Sequence, residues 1–137
     1  MMNGQPNRVL LIDDEPSIRR ALAPTLRELG FQVSEAASGE EALQLLRTEV
    51  YDAALLDVNM PGIGGLETLR RIRQLAMRLP VLMLTVRGDE EDKVSALDLG
   101  ADDYVDVYKR QGFAGKALAI WAKRRTSAAM RNMTRPR

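Results

Sequence analysis

Residues 51–61 read Tyr-Asp-Ala-Ala-Leu-Leu-Asp-Val-Asn-Met-Pro, and few folds accept such a stretch. Residues 53–56 are apolar without alternation and bounded by turn formers, as in a strand buried on both faces of a parallel sheet. Pro61, Gly62, Gly64 and Gly65 then stop the strand and open a loop. Asp57 is thereby expected at the carboxyl end of a central strand, where open α/β sheets hold their chemistry. A single loop acid is as readily an ordinary strand-closing residue. Its companions decide between the two readings.

Residues 9–12 repeat the pattern, an apolar run ending in Asp13, Asp14 and Glu15. Pro16 suits a first helical turn, and Ile18, Leu22, Leu26 and Leu29 form a helical stripe that Pro24 is expected to kink and Gly30 to stop. Phe31 and Val33 alternate with polar residues, the pattern of a second, edge strand. Ser38-Gly-Glu-Glu41 has the capping-box spacing and opens a helix with Ala42, Leu45 and Leu46 on one side. After the strand of Asp57, Leu66, Leu69, Ile72 and Leu75 predict a third helix with Arg70, Arg71 and Arg73 facing out. Pro80 precedes a fourth strand, Val-Leu-Met-Leu-Thr, ending at Thr85. Asp89 to Asp92 form an acidic start to a fourth helix carrying Val94, Leu97 and Leu99, which Gly100 ends. Residues 101–105 approach a fifth strand. Strict βα alternation with right-handed crossovers predicts an α/β fold, a doubly wound five-stranded parallel sheet of order 2-1-3-4-5, flavodoxin-like. In that order the first and third strands flank the switch point, so Asp13 and Asp14 face Asp57 across one crevice.

Composition narrows the chemistry. A chain of 137 residues, 45% hydrophobic and 28% charged, is one ordinary globular domain. It has no cysteine and no histidine, which excludes thiol nucleophiles, Ser-His triads and imidazole metal sites. No apolar run approaches the roughly 20 residues of a membrane span, and the first residues lack a signal pattern, so no membrane partner and a cytoplasmic location are expected. Three carboxylates in one crevice repel unless a cation sits among them. An all-oxygen site selects a hard ion, Mg²⁺ or Mn²⁺. A carboxylate beside such an ion is a plausible nucleophile toward phosphorus, and the Thr85 hydroxyl at the end of the next strand can donate to a phosphoryl oxygen.

Taken as a spaced set, Leu-Leu-Ile-Asp13-Asp14-Glu15, Leu-Leu-Asp57-Val-Asn-Met-Pro61-Gly62, Thr85 and Gly100-Ala-Asp-Asp-Tyr104-Val resemble the receiver domain of bacterial two-component response regulators over residues 8–105. The last motif, with the Asp-Lys-Val-x-Ala-Leu run before it, is most similar to the branch that carries a winged-helix DNA-binding output domain. The resemblance implies that Asp57 is the phosphoacceptor, served by a sensor histidine kinase. It implies Mg²⁺ held by Asp14 and Asp57, with Asp13 acting partly through water and the Asn59 backbone carbonyl as a further ligand. It makes Thr85 and Tyr104 a switch pair that reshapes the face of the fourth helix and fifth strand. A homodimer through that face is a partner the family suggests, with Lys93, Asp98 and Asp102 matching half of its ion pairs. The chain is then a signalling module rather than an enzyme. An aspartyl phosphohydrolase of the haloacid-dehalogenase type would want a second acid where Asn59 stands, and a nucleotide-binding domain would want a phosphate-cradling loop where Asp13-Asp14-Glu15 stands.

The pattern departs from the family after Val105. The family's lysine, three residues past the tyrosine, is Val107 here, and its proline is absent. The nearest lysine is Lys109, which a bulge would have to bring to the phosphate. Residues 1–106 hold 11 basic and 19 acidic side chains, whereas residues 107–137 hold 9 basic and none acidic. Residues 1–7 are thus read as a flexible N-terminus, 8–106 as the receiver domain and 107–137 as an atypical basic C-terminal segment. In it Phe113, Ala117, Ile120 and Trp121 keep the spacing of a fifth amphipathic helix. Two readings stay open there: a basic variant of the fifth helix, or a frameshift or foreign join, which the abrupt change of charge and motif favours. A nucleic-acid-binding tail has the charge but no recognisable module, so this chain alone is expected to bind no specific DNA. The alternative functional reading is a phosphorylation-impaired or truncated receiver-like domain that acts only through protein interaction.

Overall fold

The apolar runs become the three inner strands of the sheet. The structure is a computed structural model that describes residues 7–76, 78–85, 97–106, 121 and 124. Its elements are β1 (Arg8–Ile12), α1 (Pro16–Glu28), β2 (Gln32–Ala36), α2 (Gly39–Thr48), β3 (Ala53–Asp57), α3 (Gly64–Leu75), β4 (Val81–Thr85) and β5 (Asp103–Asp106). The sheet is parallel throughout with order β2-β1-β3-β4-β5, the expected doubly wound order with β2 at an edge. Residues 86–96 and 107–120 lie outside the described residues. With them go the expectations for Asp89 to Asp92, Lys93, Val94, Val107, Lys109, Phe113, Ala117 and Ile120. Residues 1–6 lie outside as well, while the Asn7 carbonyl already accepts from the Gln32 N–H at 2.9 Å.

Successive side chains of a strand point to opposite faces, and here that alternation divides the core in two. Leu10, Ile12, Ala54, Leu56, Val81 and Met83 meet α2 and α3 on one face. Val9, Leu11, Ala53, Leu55, Leu82 and Leu84 meet Leu22, Ala23 and Leu26 of α1 on the other, where the half-buried Trp121 also packs. Each fully buried leucine or isoleucine contributes about 1.5–3 kcal/mol of transfer free energy, enough to fix the register of the inner strands.

Local chemistry sets the helix ends. Ser38 Oγ accepts from the Glu41 N–H at 3.1 Å, and Glu41 reaches back to the Ala37 N–H at 3.4 Å, one residue earlier than the usual reciprocal bond. Helix α1 runs through Pro24 to Glu28. Gly30, at φ +96°, then reverses the chain: its N–H donates to the Arg27 carbonyl and the Phe31 N–H to that of Leu26, a Schellman closure. In α2, Ala42, Leu45 and Leu46 face one cluster as expected, with Leu43 buried beside Ala42. Arg73 does not face out with Arg70 and Arg71. Its guanidinium donates to the carbonyls of Gly100, Ala76 and Leu79 and pairs with Asp102 at 2.9 Å, leaving the side chain 16% exposed. An arginine stem is long enough to leave the outer face and satisfy carbonyls at the end of its own helix.

Candidate functional site

Ile12 of β1 and Leu56 of β3 are register partners, so the next residues, Asp13 and Asp57, emerge side by side at the carboxyl ends of adjacent strands. Asp14 follows on the same turn. One carboxylate oxygen from each of the three lies within 4.8 Å of the others. Asp13 is 2% and Asp57 8% exposed, while Asp14 stands half-buried at the rim. Thus the three acids that the sequence singled out are brought together.

Backbone amides orient the two buried acids. Asp13 Oδ1 accepts from the Glu15 N–H at 2.9 Å, a local bond that turns the strand into α1. Asp57 Oδ1 accepts from the Asn59 N–H at 3.0 Å. Asn59 therefore lies against Asp57 through its backbone N–H. Thr85 closes β4 and pairs in register with Asp106, and Tyr104 pairs with Met83. This puts Thr85 at the same carboxyl edge of the sheet as Asp57, whose own partner in β4 is Leu84.

Both buried acids hold protons unusually tightly. Burial is the largest cause for each, and it pushes Asp57 up to about 7 and Asp13 up to about 6. The charge of Asp14 raises both further. The charge of Asp13 raises Asp57 as well, and two acids this close titrate as one unit. A site that concentrates carboxylate oxygen and penalises its charge suits a hard divalent cation, which would reverse the penalty. Asp13, Asp14 and Asp57 are the residues that could hold it, and the all-oxygen donor set fits Mg²⁺ chemistry.

Sequence reasoning missed two residues that shape this site. Gly65, read only as a loop former, packs on the end of β3. A Cβ there would stand 2.2 Å from the Asp57 carbonyl oxygen and 2.6 Å from Val58 Cα, and the Gly65 N–H donates to the Val58 carbonyl at 3.1 Å. The second is Arg19 of α1, whose Nη1 donates to the Asp13 carbonyl. A basic residue in the helix after an acidic strand end was the sole sequence signal for it.

Residues 9–110 match the family model described as "Response regulator receiver domain". The transcriptional regulatory protein AfsQ1 of Streptomyces coelicolor is 50% identical over 97 residues, 71% of this chain and 43% of its own length. The alkaline phosphatase synthesis transcriptional regulatory protein PhoP of Bacillus subtilis is 44% identical over 98 residues, 72% of this chain and 41% of its own. The chain thus spans less than half the length of these relatives. Among solved structures, a putative response regulator from Chloroflexus aurantiacus superposes with TM-score 0.79 at 37% identity, covering 89% of this chain and 98% of that one. The response regulator TrrA of Thermotoga maritima, in complex with Mg²⁺-BeF, superposes with TM-score 0.71 at 34% identity over 82% and 96% of the two chains. Sheet order, buried acid cluster and sequence match agree, and this chain belongs to the response regulator receiver domain family of two-component signalling proteins.

Proposed function

We propose that Asp57 is the phosphoacceptor of this receiver domain and takes its phosphoryl group from a phosphohistidine of a sensor histidine kinase. The convergence of Asp13, Asp14 and Asp57 within 4.8 Å carries the reading, because only Asp57 among them closes a fully buried strand. With Oδ1 held by the Asn59 N–H, the other oxygen of Asp57 attacks phosphorus. The new P–O bond forms as the P–N bond to the donor imidazole breaks, and the electron pair leaves on that nitrogen, which is protonated. The nucleophile is the carboxylate, so Asp57, whose proton affinity burial raises, must first be deprotonated. Asp13, Asp14 and Asp57, with the Asn59 carbonyl, would hold Mg²⁺. When bound, the ion neutralises the acids and the phosphoryl oxygens. The Mg²⁺-BeF complex of the Thermotoga relative supports that choice of ion.

Thr85 and Tyr104 form the switch pair in this reading, the hydroxyl meeting the phosphoryl group and the ring following it. Lys109 is the candidate cation for the phosphate. In a longer protein the switched face of β5 and the helix before it regulates transcription, as the names of the relatives suggest. That face also offers a homodimer contact. The chain alone binds no specific DNA and works in the cytoplasm. The phosphoryl group is accepted and held as a signal rather than turned over as a substrate. The test is intact mass after incubation with Mg²⁺ and acetyl phosphate, wild type beside Asp57→Asn. One phosphoryl adduct that needs Mg²⁺ and is absent from the variant is expected. A folded wild-type chain that takes up no phosphoryl group overturns the reading and leaves a receiver fold without receiver chemistry.

A further inference from the structure

Arg19 ties three elements together at the edge of the acid cluster. Its Nη1 donates to the backbone carbonyl of Asp13, and its Nε lies 3.5 Å from Glu35 Oε1 on β2. The side chain is 18% exposed. A guanidinium carries its donors in a rigid plane and can serve acceptors on two elements at once, which a lysine ammonium does less well. Asp13 is consequently held at three of its polar atoms. Its N–H donates to the Ala36 carbonyl at 3.0 Å, its Oδ1 accepts from the Glu15 N–H, and its carbonyl is held by Arg19. Burial, the Glu15 N–H and the neighbouring acids are the main influences on the Asp13 carboxyl. The guanidinium therefore acts by orienting the turn rather than by neutralising the acid.

We propose that Arg19 is a positioning residue for the divalent-cation site, acting through the backbone of Asp13 and braced by Glu35. Without it the turn after β1 keeps only the Ala36 and Glu15 bonds and holds the Asp13 carboxylate less firmly toward Asp14 and Asp57. The inference rests on the reading of the three acids as the cation site.

The test is calorimetric titration of Mg²⁺ into the full chain, with thermal unfolding of the metal-free variants measured in the same buffer. Residues that orient a metal's ligands typically cost 10–100-fold in affinity when removed, and Arg19→Ala is expected at the lower end, about tenfold. Arg19→Lys is expected between it and wild type. Arg27→Ala removes the 3.2 Å pair to the same Glu35 but leaves the Asp13 carbonyl contact, and it should keep wild-type affinity. Wild-type affinity in Arg19→Ala overturns the inference. So does an equal loss in Arg27→Ala, which would make the effect a general weakening of the β2 edge. Should Arg19→Ala not fold, Arg19→Lys carries the same comparison. Asp14→Asn separates the two levels. If it leaves Mg²⁺ binding unchanged, the ion is not at the acids and both readings fail. If it abolishes binding while the Arg19 variants keep theirs, only the positioning role fails.

Discussion

Asp13 and Asp57 extend the in-register pair Ile12 and Leu56 by one residue, so two parallel strands end in two buried carboxyls whose proton affinities are raised. Parallel pairing makes this possible, since it brings equivalent strand ends to one edge of the sheet.

The first prediction concerns pH. Asp57 is raised from 3.8 to about 7, and Asp13 from 3.8 to about 6. The folded state therefore binds protons more tightly than the unfolded chain, and stability falls as pH rises between about 4 and about 7. The metal-free protein should melt higher at pH 5 than at pH 7.5, with a difference on the order of 2–4 kcal/mol at one pK unit per 1.36 kcal/mol. Saturating Mg²⁺ at pH 7.5 should restore much of it, about 2.7 kcal/mol at a hundredfold excess over the dissociation constant. A melting temperature that climbs steadily from pH 5 to 7.5 without metal would contradict the raised proton affinities of the two acids.

Asp57→Asn should abolish the phosphoryl adduct and yet stabilise the metal-free fold at pH 7.5. The amide keeps the shape, can accept the Asn59 N–H, and removes a charge that burial penalises. The gain should be about 1–3 kcal/mol and should fade as pH falls toward about 3, where the acid is largely protonated in both states. Urea unfolding at the two pH values measures it, and a variant less stable than wild type at pH 7.5 sinks the argument.

Gly65 gives a sharper structural test. The Cβ of an alanine there would overlap backbone at the end of β3, Asp57 O and the following Val58 Cα. Backbone cannot swing aside as a flexible side chain can, so Gly65→Ala should cost about 3 kcal/mol, the upper end of ordinary overpacking, and should slow phosphorylation by moving Asp57. Gly30→Ala is the contrast. Nothing stands within 4 Å of its Cβ, but its φ of +96° strains any side chain, so it should lose stability and keep its phosphorylation rate once folded. Equal phosphorylation rates in the two folded variants would refute the claim that Gly65 sets the position of Asp57.

The contrast between these glycines marks what the sequence made legible. Apolar runs at residues 9–12, 53–56 and 81–84 announced the inner strands because only a doubly covered sheet accepts them. The acids were legible because each followed such a run. Gly65 was not, because a glycine reads the same whether it turns a chain or lies under another backbone. Arg19 and Arg73 were hidden for a related reason. Hydrophobic periodicity assigns a charged residue to the outside, whereas a long stem lets a guanidinium fold back onto carbonyls. Leu75 shows the converse error: the stripe put it in the core, yet at the end of α3 it is 46% exposed.

The last prediction follows from Arg73. Asp102 Oδ2 accepts from Arg73 Nη2 at 2.9 Å and from the Val81 N–H at 2.8 Å. Among the described residues this acid thus joins α3, the start of β4 and the approach to β5 within one chain. An intermolecular ion pair in a homodimer would have to compete with both bonds. Asp102→Ala should therefore cost about 1–3 kcal/mol, because it leaves the Val81 N–H and one arginine arm without their acceptor. Arg73→Lys should cost a similar amount, since one ammonium cannot reach the four acceptors that the guanidinium serves. Chemical unfolding of each variant, beside sedimentation of the phosphorylated protein, divides the two roles. Lowered stability with unchanged assembly identifies an internal tie. Unchanged stability with lost assembly would instead return Asp102 to the dimer face.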